Sequence, residues 1–162
     1  MSTKICTKCK KVKLLTEFPV YNNKINSHCY QCKRDYNAKH QKTPAGIYQQ
    51  IKGRNGFYKD HPFLITQSDF INWYINIPHK CVYCDIEEKE LYLWKKIVGG
   101  RFRRLTVDCK ENKIGYVKGN LVLACDKCNL MKADILTYSE MREIGQKYVK
   151  PKWLNVKNDL LK

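Results

Sequence analysis

The chain has 162 residues, with 31 Lys or Arg against 15 Asp or Glu, and its formal charge at pH 7 is +16. This length allows one compact domain, alone or with a small metal-stabilised module, and excludes several independent cores. The charge favours a nucleic-acid partner, and residues 1–52 carry much of it, with eleven Lys or Arg and two Asp or Glu.

Targeting signals and membrane spans are not expected. No window approaches the roughly 18 apolar residues that span a bilayer, and the N-terminal segment MSTKICTKCK lacks the apolar core of a signal peptide. We therefore expect an intracellular, cytoplasmic protein with no membrane partner. In that reducing compartment the nine cysteines favour metal binding over disulfides.

The N-terminal segment opens with CTKC and closes with CYQC, around a cluster of apolar residues. This pattern predicts a zinc-ribbon-like four-cysteine module over residues 1–42. Thr43 and Pro44 then form an N-cap and first-turn pair, which predicts a helix running to about Tyr58.

A second segment begins with FLIT at 63–66, which predicts a short strand. Thr66 and Asp69 resemble a capping box for the helix SDFINWYIN. The aromatic residues Phe70, Trp73 and Tyr74 are expected to form its buried face.

The last segment predicts a ββα unit. RLTVDC alternates like a strand, KIGYVKGN is typical of a loop, NLVLAC predicts a second strand, and a helix is expected near Asp126. A further helix is expected from Tyr138 to Lys150, ended by Pro151. We therefore predict a second domain over 43–150 and a C-terminal tail over 151–162.

Eight of the nine cysteines form four C-x2-C pairs, and two such pairs can close a tetrahedral zinc shell. Nearest-neighbour pairing costs the least loop entropy. We therefore predict two structural Zn²⁺ sites, with redox-active thiols as the alternative. The first site would use Cys6, Cys9, Cys29 and Cys32, and the second Cys81, Cys84, Cys125 and Cys128.

The stretch VDCKENKIGYVKGNLVLACDKCNLMK resembles the motif of HNH (ββα-metal) endonucleases. With CVYC, CTKC and CYQC it is similar to the phage and bacterial members that carry two four-cysteine zinc sites. The resemblance implies a small α+β fold, a treble-clef-like ββα-metal core, and metal-dependent hydrolysis of DNA phosphodiester bonds.

The same resemblance implies individual roles. Asp108 and Asn129 match the ligands of one catalytic divalent ion, expected to be Mg²⁺, and Asn120 matches the residue that holds the loop between the two strands. A carboxylate and an amide oxygen are hard ligands of the kind that Mg²⁺ prefers.

One position departs from the motif, because Cys109 stands where the family has the histidine that activates water. A neutral thiol is a poor general base. In the two-zinc branch another residue is thought to replace that histidine, and we predict that His61 does so here. The alternative for His61 is a surface loop residue.

A basic run beside the first ββα strand is the predicted contact with DNA, the alternative being a solvated loop. It consists of Lys95, Lys96, Arg101, Arg103 and Arg104. We expect a double-stranded DNA endonuclease of restriction, homing or nicking type. A cut through both strands needs a dimer or two binding events, and we favour a homodimer. The alternative, favoured by Cys109, is a non-catalytic zinc-finger regulator with a degenerate HNH motif.

Overall fold

A computed structural model describes residues 1–55, 62–99 and 104–162. The strands are β1 (Thr3–Ile5), β2 (Val12–Leu14), β3 (Val20–Tyr21), β4 (Lys24–Ile25), β5 (Thr106–Cys109) and β6 (Leu121–Ala124). The α-helices are α1 (Tyr30–His40), α2 (Pro44–Asn55), α3 (Gln67–Asn76), α4 (Tyr92–Val98), α5 (Asp126–Lys132), α6 (Tyr138–Ile144) and α7 (Lys150–Asp159). The chain divides into two compact units, Met1–Gly53 and Arg54–Lys162.

The first unit consists of two antiparallel hairpins followed by two helices. Strands β1 and β2 pair with Thr3 opposite Leu14, and β3 pairs with β4. Its small core holds Phe18 against cysteine side chains. Helix α2 begins at Pro44 as predicted, and the Thr43 hydroxyl accepts a 3.1 Å hydrogen bond from the Gly46 N–H. The predicted end of this helix near Tyr58 lies outside the described residues.

The second unit contains the predicted ββα order. Strands β5 and β6 are antiparallel, with Asp108 opposite Val122, and every residue of β6 is buried. Helix α5 follows β6 directly, with Cys125 as its N-cap, and contacts β5. The fold is therefore the small α+β architecture expected from the sequence.

The segment at 63–66 differs from its prediction as a strand. Phe63 forms only an isolated bridge to Tyr116, and the N–H groups of Leu64 and Ile65 both donate to the Tyr116 carbonyl. A strand is not continued because Thr66 already caps α3, accepting a 3.1 Å bond from the Asp69 N–H. In α3, Phe70 and Tyr74 are buried, whereas Trp73 is half-buried.

The prediction that Pro151 ends a helix is wrong. The chain stays helical from α6 through a π-helical turn, Gly145–Val149, into α7. Pro151 lies in the first turn of α7, where a missing N–H is tolerated. This extension packs on the CVYC turn, because a Cβ on Gly145 would lie 2.4 Å from the Tyr83 carbonyl oxygen.

The buried indole of Trp153, in α7, donates a 3.2 Å bond to the Cys84 carbonyl. The side chain of Gln146 donates to the Tyr83 carbonyl at 2.7 Å. The last helices therefore pack against the backbone of the CVYC turn. Among the described residues, no helix is long and apolar enough to cross a bilayer.

Candidate metal and catalytic centre

The first four-cysteine cluster brings together Cys6, Cys9, Cys29 and Cys32, whose sulfur atoms all lie within 4.8 Å of one another. The sulfurs of Cys6 and Cys32 are 3.9 Å apart. A tetrahedron with Zn–S bonds of about 2.3 Å has edges of about 3.8 Å, so the cluster has the dimensions of a zinc shell.

The second cluster brings together Cys81, Cys84, Cys125 and Cys128, all of them buried. The sulfurs of Cys84 and Cys125 are 3.8 Å apart, which again fits a tetrahedral edge. Both predicted pairings of cysteines are confirmed.

The two clusters share one local construction. In each, the residue after a C-x2-C pair has a left-handed backbone, with φ of 60° at Lys10 and 61° at Asp85. In each, the first cysteine of the other pair is the N-cap of a helix, Cys29 for α1 and Cys125 for α5. In each cluster, therefore, one pair of cysteines lies on a tight turn and the other pair lies at the start of a helix.

Within each cluster the pKa values of different thiols shift in opposite directions. A hydrogen bond from the Cys9 backbone N–H is the main cause that lowers the pKa of Cys6 to about 5, whereas burial first of all raises the pKa of Cys32 to about 12. In the second cluster the pKa of Cys81 is lowered by the Cys125 side chain, and that of Cys128 is raised by it. A bound dication would allow all four thiols to ionise together.

Asp108 lies at the centre of the ββα unit, on β5, with its side chain buried. Its Oδ1 accepts a 2.8 Å bond from the Cys109 N–H, and its Oδ2 accepts a 2.6 Å bond from the Tyr83 hydroxyl. Burial raises the pKa of Asp108 above its ordinary value, and the Tyr83 bond is the largest of the opposing effects. A carboxylate can accept about four hydrogen bonds or metal contacts, so an ion can still be bound.

Asn129 lies on α5, the helix that contacts β5, and its side chain is half-buried. Its amide has no hydrogen-bond partner among residues 1–55, 62–99 and 104–162, which leaves the oxygen available as a ligand. Carboxylate and amide oxygens on adjoining elements suit a hard divalent cation.

Asn120 fastens the loop that joins β5 to β6. Its Oδ1 accepts from the Glu111 N–H at 3.0 Å, and its Nδ2 donates to the carbonyls of Glu111 at 2.9 Å and Gly115 at 2.7 Å. Gly115 has φ of +73°, and a Cβ there would lie 2.2 Å from the Pro62 carbonyl oxygen. The loop is therefore held both by Asn120 and by the chain at Pro62.

Comparison with known proteins identifies a structural relative of this arrangement. The rare-cutting HNH restriction endonuclease PacI, studied for its mechanism of DNA perturbation, matches with a TM-score of 0.57 over 93% of this chain and 95% of its own. This chain has the HNH fold. The identity is 23%, so the likeness concerns the fold. No protein-family model and no curated protein sequence matches the chain.

Tyr83, inside CVYC, contacts Asp108, and the sequence interpretation did not include it among the site residues. Its side chain is 0% exposed, and its hydroxyl donates to Asp108. Burial raises the pKa of Tyr83 well above its ordinary range, so the phenol is neutral. A signal was present in the sequence, since a polar aromatic group inside CVYC needs a buried hydrogen-bond partner.

Lys132 is the second residue that was missed. Its side chain is only 1% exposed, and its Nζ lies 3.6 Å from Asp108 Oδ1 and 2.8 Å from Asn112 Oδ1. Asn112 in turn donates to the Ala133 carbonyl at 2.9 Å, just beyond α5. A buried ammonium is tolerated only when it is paired. The spacing could have indicated this position, because Lys132 follows Asn129 by about one helical turn.

Cys109 belongs to neither cysteine cluster and is 6% exposed. Burial first, and the neighbouring Asp108 charge second, raise its pKa to about 12. The thiol is therefore protonated at neutral pH and is a poor base in the HNH centre.

The remaining predicted contacts are only partly described. Lys95 and Lys96 are exposed near the end of α4, and Arg104 is half-buried just before β5. His61, Arg101 and Arg103 lie outside the described residues.

Proposed function

We propose that this chain is a divalent-metal-dependent DNA endonuclease. The observation that carries the proposal is the buried Asp108 carboxylate on β5 of an HNH fold, beside the helix that bears Asn129, whose amide has no hydrogen-bond partner among the described residues. The structural relative is an HNH restriction endonuclease, which supports the same class of substrate here.

Asp108 and Asn129 would hold the catalytic ion, and their oxygen ligands favour Mg²⁺. When bound, such an ion neutralises charge that develops on the leaving oxygen of a phosphodiester. Tyr83 and Lys132 position the Asp108 carboxylate from two sides. Asn120 keeps the β5–β6 loop closed, and the second four-cysteine cluster holds the CVYC turn and the start of α5 within the same unit as Asp108.

His61 is proposed as the general base that removes a proton from water. The next residue, Pro62, supports this role, because its carbonyl accepts a 2.7 Å bond from the Tyr116 N–H in the β5–β6 loop. The chain beside His61 is thereby tied to the ββα unit. A neutral imidazole accepts a proton at pH 7, whereas the buried Cys109 thiol does not compete for that role.

The basic run formed by Lys95, Lys96, Arg101, Arg103 and Arg104 is proposed to contact phosphates next to the cleaved bond. One ββα centre serves one strand. A cut through both strands would require a homodimer or two successive binding events.

Cys109 supports a second candidate function, a zinc-stabilised protein that binds DNA or RNA without cutting it. Incubation of supercoiled plasmid with zinc-replete protein and Mg²⁺ distinguishes the two. The endonuclease should nick or linearise the plasmid, and Asp108→Ala should not. Binding without Mg²⁺-dependent cleavage, in the wild type as in Asp108→Ala, would favour the regulator.

A further inference from the structure

The hairpin formed by β3 and β4 is an exposed ribbon, comprising residues 20–25, all of which are exposed. Val20 and Tyr21 keep 57% and 54% of their surfaces accessible. Asn22 and Asn23 form the two-residue turn, with φ of 47° and 59°. Two successive positive φ values define the type I′ geometry, whose twist matches that of the paired strands.

The ribbon is anchored at its base and along one side. The Lys4 ammonium donates to the carbonyls of Ile25 at 3.3 Å and Asn26 at 3.1 Å. The Lys33 ammonium, on α1, donates to the Tyr21 hydroxyl at 2.6 Å. A ribbon held in this way loses little conformational entropy when it binds a partner.

The turn presents two amide groups to solvent. Neither Asn22 nor Asn23 has a side-chain hydrogen bond within the part of the chain that the structure describes. Each amide carries both donors and an acceptor, which is the pattern that pairs bidentately with the major-groove edge of adenine.

The surroundings of the ribbon fit a duplex. The unit Met1–Gly53 contains eleven Lys or Arg and two Asp or Glu, so it attracts a polyanion. The major groove of B-form DNA admits a two-stranded ribbon, whereas the deep, narrow major groove of A-form RNA does not.

We propose that the ribbon at 20–25 enters the major groove of double-stranded DNA and that the Asn22 and Asn23 amides select adenine-containing base pairs. This inference rests on the proposed function, since it assumes a DNA substrate. In this arrangement the unit Met1–Gly53 selects the DNA sequence, and the unit Arg54–Lys162 cleaves it.

The test uses a variant that keeps the turn and removes the amides. Glycine adopts positive φ readily, so Asn22→Gly/Asn23→Gly preserves the type I′ geometry. Asn22→Asp/Asn23→Asp is a second variant, because Asp also tolerates this geometry but lacks the amide donors. Both are made in an Asp108→Asn chain, which prevents cleavage, and zinc content confirms their folding.

Each protein selects binders from a pool of random duplexes, and the affinity for the selected duplex is then measured against salt. We expect the parent to enrich sites containing A·T pairs. The glycine variant should lose that preference and bind the selected duplex about 10- to 100-fold more weakly. Its affinity for unrelated duplex and its salt dependence should not change, because the phosphate contacts remain.

Three results would overturn the proposal: an unchanged site preference in both variants, a parent that enriches no sequence, or equal binding of duplex RNA. A parent that binds no duplex at all would instead contradict the proposed DNA function. The failure of the inference and the failure of the function are thus distinguished.

Discussion

The Tyr83 hydroxyl donates a 2.6 Å hydrogen bond to Oδ2 of Asp108, from inside the zinc knuckle CVYC. The same segment therefore supplies two cysteines of the second cluster and one contact to the proposed catalytic carboxylate. Tyr83 is fully buried, so its effect on substrate passes through Asp108. We therefore expect metal binding at the second cysteine cluster to affect the orientation of Asp108.

Tyr83→Phe should leave both zinc sites intact and weaken catalysis. Partners that orient a metal ligand typically contribute 10- to 100-fold to metal affinity or activity. We therefore expect about that loss in single-turnover cleavage, with part of it recovered at high Mg²⁺ if orientation of Asp108 is the cause. Tyr138→Phe is the control, because its ring packs on Tyr83 without contacting Asp108. If Tyr83→Phe cleaves at the same rate as the wild type, Tyr83 does not orient Asp108 for catalysis.

Chelation of zinc should unfold both units. In the first unit the described buried hydrophobic side chains are those of Phe18, Ile47, Tyr48 and the cysteines, a core too small to be stable alone. We expect two zinc ions per chain by elemental analysis, and loss of circular dichroism when a strong chelator removes them. A well-folded preparation that contains no zinc would contradict this architecture.

The pair formed by Asp108 and Lys132 should show strong energetic coupling. Removing one partner leaves a buried charge uncompensated, so Lys132→Met should lower the free energy of unfolding by about 3 kcal/mol. The double variant Asp108→Asn/Lys132→Met should lose less than the sum of the single variants in urea unfolding.

The exposed pair of Lys162 with Asp159 is a matched control, for which Lys162→Met should cost less than about 1 kcal/mol. Additive losses at Asp108 and Lys132 would mean that the two groups do not interact.

The acid limit of metal-dependent cleavage should report the ionisation of Asp108. Burial raises the pKa of this carboxyl above its ordinary value, so cleavage should be lost, as the pH falls, sooner than it would be with an exposed aspartate. Lys132 opposes that rise. Lys132→Met should therefore move the acid limit to higher pH, and Mn²⁺ binding by calorimetry should shift in parallel. A limit that moves to lower pH would reverse the assigned role of Lys132.

Separate substitutions of His61 and Cys109 distinguish which of the two acts as the general base. His61→Ala should lower single-turnover cleavage by about 10² to 10⁴, the usual contribution of a general base, while DNA binding is retained. Cys109→Ser should cost little, because its thiol is protonated and buried. The assignment fails if the serine variant is inactive but folded and the His61 variant remains active.

Local spacing predicted most of the framework. Four C-x2-C pairs were enough to pair the cysteines, and the alternation in RLTVDC with the apolar run in NLVLAC was enough to locate β5 and β6. Thr66 marked a helix start, because capping depends on neighbours within one turn.

The features that the sequence did not reveal depend on distant contacts. The bond from Tyr83 to Asp108 spans 25 residues, and the pairing of Lys132 with Asn112 spans 20. Periodicity carries no information about such partners. The prediction that Pro151 ends a helix was wrong for a different reason. A proline disrupts a helix when it lies in the interior, but it is tolerated in the first turn, where Pro151 lies in α7.

Gly145, Gln146 and Trp153 pack on the backbone of the CVYC turn, and their place in the chain determines when these contacts can form. The ribosome synthesises these residues after the last zinc ligand, Cys128. All eight cysteines of the two clusters therefore precede the residues that cover the backbone of Tyr83 and Cys84. A premature stop codon ahead of Gly145 would likewise spare all eight ligands and every proposed catalytic residue, yet yield a polypeptide whose knuckle is open on one side.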